Sequence, residues 1–132
     1  MIVKLIDEGK KIRNYTFTLK DLEKIRDSIN EKEIIGELGS PNTNDLTKLI
    51  SIDLLNAGVI YKNAYIEDNS LYCEAKFINT AAKLTQDLGI ENISFGIRGI
   101  YNHDAENSFK LITFDIVPNT GIENDQNAIK ET

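Results

Sequence analysis

Three stretches follow one another without a break: Val59-Ile60-Tyr61-Lys62-Asn63-Ala64-Tyr65-Ile66, Glu67-Asp68-Asn69-Ser70 and Leu71-Tyr72-Cys73-Glu74-Ala75-Lys76-Phe77. The third alternates cleanly. Leu71, Cys73, Ala75 and Phe77 share one face, while Tyr72, Glu74 and Lys76 take the other, which is the period-two pattern of a half-buried strand. The four polar residues before it are turn formers, and the apolar run before those reads as a second strand. A strand, a turn and a strand therefore sit at the centre of the chain.

Working outward, residues 1–6 and 11–17 read as strands separated by the turn Asp7-Glu8-Gly9-Lys10. Thr18 caps a helix over residues 18–30, and Asp21 completes a weaker form of the capping box. Leu22, Ile25 and Ile29 give that helix one apolar face. Residues 33–38 read as a short strand and residues 39–45 as a Pro- and Asn-rich loop. Residues 46–55 read as an extended stretch in which Ile50, Ile52 and Leu54 alternate. Further on, Asn79 or Thr80 caps a short helix over residues 80–88, which Gly89 terminates. On the next strand Ile93, Phe95 and Ile97 point inward, leaving Ser94, Gly96 and Arg98 on the outer face. A loop over residues 102–108 leads to a last strand over residues 109–117. The pattern predicts an α+β fold, a mostly antiparallel β-barrel of about seven strands with two short helices. Residues 1–118 make the domain, and residues 119–132 form a polar, acidic, mobile tail.

Composition narrows the function. The chain has 132 residues, enough for one core, and its net charge of −6 argues against binding nucleic acid. No apolar run approaches the roughly 20 residues that cross a bilayer. The start, charged from Lys4 onward, does not read as a signal peptide. The single Cys73 offers no disulfide framework and lies on the apolar face of its strand, where a thiol is buried and inert.

Few side chains carry chemistry. Ser94 and Arg98 share a strand face that suits an anion or a partner carboxylate, or else is simply a solvated outer face. Asp104-Ala105-Glu106-Asn107 lacks the Gly and distal Glu of a calcium loop, and Gly36, Gly39, Gly96 and Gly99 form no phosphate cradle. No metal and no cofactor is expected. Tyr61 and Tyr65 read as sharing the Val59 face, where they pack or, if exposed, anchor an interface. His103 reads as a solvated loop residue beside Asp104.

Six segments, in order, resemble the prohead (capsid-maturation) serine proteases of tailed bacteriophages, whose fold is similar to that of the herpesvirus assemblins. They are Arg13-Asn14-Tyr15, Gly36-Glu37-Leu38-Gly39-Ser40-Pro41, Leu49-Ile50-Ser51-Ile52, Phe77-Ile78-Asn79-Thr80, Ile93 through Gly99 and Thr113-Phe114-Asp115-Ile116-Val117. The resemblance implies a serine nucleophile activated by histidines, and here the chain departs from it. The two histidine positions hold Ser40 and, depending on register, Ile52 or Asp53. Neither Ser nor Ile is a base at neutral pH, and a lone Asp is a weak one. The nucleophile position falls on Ser94 by direct matching, or on Gly96 or Ile97 when Arg98-Gly99 anchors the alignment. His103 lies nine residues beyond Ser94. That is roughly 30 Å of extended strand, against the ~3 Å reach of a general base. The resemblance thus implies a catalytically silent virion structural protein that binds capsid or scaffold proteins, in the virion and in the host cytoplasm during assembly, with a homo-oligomer left open. The rival readings are an active maturation protease with an atypical base and a non-viral small-molecule or peptide-binding domain.

Overall fold

The computed structural model describes residues 1–41, 45–119 and 127–132. The central hairpin forms as its sequence predicts. Strand β5 (Ala57–Glu67) and strand β6 (Ser70–Phe77) pair antiparallel, and Asp68 and Asn69 between them both take positive φ, 50° and 61°. Positive φ at both central residues makes the two-residue turn whose twist matches the strands it joins. Strand β1 (Ile2–Asp7) adds to the free side of β6, burying Val3 and Leu5, and strand β4 (Ile34–Glu37) adds to β5. Between them in the chain, β2 (Lys11–Ile12) and β3 (Tyr15–Thr16) form a small ribbon. Residues 11–17 were expected as one strand, but Arg13 at φ 57° breaks them into two.

Helix α1 (Leu19–Glu31) begins at the capping box read from the sequence: Thr18 Oγ1 accepts from the Asp21 amide, and Asp21 Oδ2 accepts from the Thr18 amide at 3.0 Å. Its apolar face, Leu22, Ile25 and Ile29, is buried. Helix α3 (Asn79–Leu88) also forms, but neither Asn79 nor Thr80 caps it. Ile78 occupies the cap position, and Asn79 turns the chain at φ 54°. Gly89 ends α3 with its amide on Thr85 O.

A second sheet holds β7 (Ile93–Tyr101), β8 (Lys110–Pro118) and β9 (Ala128–Glu131) in the order β8-β7-β9. Strand β9 lies within the stretch read as a mobile tail. The end of that stretch is ordered because Ala128 and Ile129 are apolar and sink against β7, which β9 joins in parallel. The two main sheets meet where Leu38 bridges Ile116 and the Gly39 amide bonds Ile116 O at 2.7 Å.

Two further expectations are corrected. Among the described residues the strands number nine, with three α-helices, and they do not close into a barrel: closure would require β1 to reach the outer edge of β7, and β9 occupies part of that edge. Residues 46–55 are not a strand. They form helix α2 (Leu46–Ile50) and a 3-10 turn (Leu54–Asn56) because two aspartates cap local turns. Asp45 Oδ1 accepts from the Thr47 amide at 2.9 Å and Asp53 Oδ1 from the Leu55 amide at 3.0 Å. Residues 42–44 of the expected loop and 120–126 of the expected tail lie outside the described residues.

Candidate functional site

The sequence placed Arg98 on an outer strand face. The structure buries it completely. On β7 it sits beside Thr113 of β8, and Asp115 lies one pair further along the same face, opposite Gly96. The guanidinium lies over β8 and reaches β4 beyond it. There it makes five contacts. Nε donates to Asp115 Oδ2 at 3.0 Å and Nη2 to Asp115 Oδ1 at 2.5 Å, the two-pronged geometry that suits a carboxylate. Nη2 also donates to Glu37 Oε2 at 2.8 Å, and Nη1 to the carbonyls of Ser51 at 2.8 Å and Leu49 at 3.4 Å. One side chain thereby ties β7, β8, β4 and the segment carrying α2 together.

The electrostatics follow from enclosing one cation with two carboxylates. Burial raises the Asp115 carboxyl above its ordinary value, against the lowering effect of Arg98. Burial would lower the Arg98 guanidinium, but the hydrogen bonds and charges of Asp115 and Glu37 outweigh it and hold it above its ordinary value. The guanidinium is charged throughout the accessible pH range. With its donors engaged inside, Arg98 is not the exposed anion or interface contact that the sequence suggested. The face it occupies is covered by the α2 segment, whose Leu49 is also buried.

The other candidates do not converge. Ser94, half-buried, lines a cleft of about 330 Å³ between β1 and β7, together with Lys4, Asp7 and Lys10. Asp7 is engaged there by Ser70 Oγ at 2.5 Å and by Lys4, 3.3 Å away. Hydrogen bonding to Ser70 holds the Asp7 carboxyl below its ordinary value. Ser40 is half-buried just after the β4–β8 bridge, Ile52 is half-buried, and Asp53 caps its turn in solvent. His103 lies past the opposite end of β7 from Ser94. There it is 3.0 Å from Asp104 and in contact with Glu131 of β9, with its side chain 40% exposed. It is a loop histidine, as read, with a second carboxylate that the sequence did not indicate. Among the described residues no group of His, Cys, Asp and Glu could hold a metal ion.

Tyr61 and Tyr65 do not share a face. The β5–β6 register shifts between Lys62 and Tyr65, where Asn63 takes φ 53°. An extra residue in one strand inverts the alternation beyond it. Tyr61 is therefore buried, donating its hydroxyl to Phe114 O at 2.7 Å, while Tyr65 stacks on Tyr72 at 5.5 Å and is 38% exposed. Of this pair only Tyr65 is available to an interface.

Nothing matches this chain among protein-family models, curated proteins or solved structures.

Sequence reasoning missed Glu37 and Asp115 as a functional pair with Arg98. The signal was present: Asp115 is a lone carboxylate in the otherwise apolar run Phe114-Asp115-Ile116-Val117. A buried carboxylate needs compensating hydrogen bonds or a cation, and none of its strand neighbours supplies one.

Proposed function

We propose that this chain is a non-catalytic assembly protein, a virion structural component that binds capsid or scaffold proteins on a prohead-protease-like scaffold. The viral part of the reading rests on the six ordered segments that resemble that family. The non-catalytic part rests on one observation: Ser94 and His103 lie at opposite ends of β7. A serine hydroxyl needs a base within hydrogen-bond reach. The commitment of Arg98 to Asp115 and Glu37 supports the same reading, because it turns a strand-face cation into a structural tie. In this reading the two joined but unclosed sheets are an opened form of the barrel that the resemblance implies.

The test is intact-mass measurement after long incubation of the chain with capsid and scaffold proteins, together with quantification of the chain in purified particles. Uncut proteins and a fixed copy ratio to the major capsid protein are the expected results. Absence from both immature and mature particles would refute the virion reading.

One observation favours the rival protease. Ser94 shares its cleft with Lys4 and Lys10, and serine–lysine pairs do catalyse hydrolysis. Lys4, however, is half exposed and paired with Asp7. Specific cleavage that disappears in Ser94→Ala would establish the rival.

A further inference from the structure

Two strand edges border one cleft, and among the described residues neither carries a partner strand there. Strand β1 ends its sheet, beyond β6. Met1 exchanges hydrogen bonds with Ala75 of β6: its amine donates to the Ala75 carbonyl at 3.3 Å, and its carbonyl accepts from the Ala75 amide at 2.7 Å. Backbone groups alternate sides along a strand, so Val3 also bonds toward β6, while the amides and carbonyls of Ile2 and Lys4 point away from it. The first half of β7 repeats the pattern. On β8 the Phe114 and Ile116 carbonyls turn away from β7, toward Tyr61 and Gly39. Their partners in register, Ile97 and Phe95, therefore aim their own backbone groups away from β8. The Ile97 amide donates to Asn127 Oδ1 at 3.1 Å, and β9 pairs with β7 only from Arg98 onward. Among the described residues the Phe95 amide and carbonyl make no bond on that side. Both edges line the cleft of about 330 Å³ that holds Ser94.

We propose that this cleft binds an extended segment of a partner protein as an added strand between β1 and β7. The open backbone groups select that occupant, because an extended chain presents donors and acceptors along both of its edges. The walls then set its sequence. Leu5, Ile6, Ile93, Phe95 and Ile97 line the cleft, and an inserted strand turns every second side chain toward them. The partner segment is therefore apolar at alternate positions. Main-chain bonds supply affinity, and the places taken by the alternate side chains supply specificity. The added strand would link the two sheets on the side where they stay apart, as Leu38 and Gly39 already link them on the other. The inference rests on the reading of the chain as a binding protein and not on the identity of its partner, so absence of the chain from particles leaves it intact.

A phage-displayed library of random peptides, panned against the full chain, tests it. Selected sequences should share apolar residues at alternate positions and bind with micromolar or tighter dissociation constants. Adding the tightest of them to the full chain should slow amide hydrogen exchange at Ile2, Lys4 and Phe95 by about 100-fold or more. Lys4→Pro should weaken binding by about tenfold or more, because it removes an amide that points into the cleft. The fold should tolerate that change, since the Lys4 amide makes no bond to β6. Lys4→Ala should bind as the parent does, because the contact is to backbone. If Lys4→Pro unfolds the chain, the exchange pattern alone decides. Slow exchange at Ile2, Lys4 and Phe95 in the chain by itself would show the edges already occupied and would overturn the inference. So would a library that yields no binder, or binders that protect other amides instead.

Discussion

Arg98 is fully buried and ties two carboxylates and two carbonyls together. Replacing it with Met would leave the buried Asp115 carboxylate without its cation, and breaking such a pair costs about 3–5 kcal/mol. Urea unfolding of Arg98→Met should show that loss. Arg98→Lys should recover only part of it, because an ammonium cannot span a carboxylate fork, a second carboxylate and two carbonyls at once. Cys73 gives a second residue-scale expectation. It is fully buried, and burial pushes its thiol up to about 12. A thiol-specific alkylating agent at mildly alkaline pH should therefore leave the native chain unmodified and label it at the rate of unfolding. Rapid labelling of the folded chain would show that the thiol is accessible. Burial of Cys73 was legible from its place on an apolar strand face. Burial of Arg98 was not, because alternation along β7 says which residues share a face and nothing about what covers that face.

At the scale of elements, β9 separates local from distant information. A short strand at the end of a polar segment has little propensity of its own, and its place is set by β7. Ile129 is buried in the common core, so Ile129→Ala should cost about 2–5 kcal/mol. A chemical-denaturation midpoint indistinguishable from that of the parent would mean that β9 is not docked in solution. The same distinction explains residues 46–55. Their alternating Ile50, Ile52 and Leu54 imitate a strand, but the aspartate caps at Asp45 and Asp53 are local hydrogen bonds that compete with a strand conformation. At Thr18 and Asp21 the local signal and the final structure agree, and α1 begins where the sequence indicated. At Asn79 they do not.

At the scale of the whole molecule, one hydrophobic cluster runs through both main sheets and α1, from Val3 and Leu22 to Tyr61, Phe114 and Ile129. Gly36 lets the sheets approach, since a Cβ there would strike the Phe114 carbonyl oxygen. A shared core predicts a single cooperative transition. Urea unfolding followed by far-ultraviolet circular dichroism and by tyrosine fluorescence should therefore superimpose. Two separated transitions would mean that the β7–β8–β9 sheet folds as its own unit.

The sequence by itself determined what depends on neighbours in the chain: the β5–β6 hairpin and its turn, the capped helix α1, the glycine stop of α3 and the inward face of β6. Each follows from alternation, helical spacing or a cap reaching only a few residues. Tertiary structure alone decided the rest. Whether the sheets close, which face of β7 is covered, where Tyr61 and Tyr65 point, and which carboxylates receive Arg98 all depend on residues far apart in the chain. Glu37 and Arg98 are 61 positions apart. The Arg98 charge is stable in the interior only because the packing of distant elements delivers its partners, and no local pattern encodes that delivery.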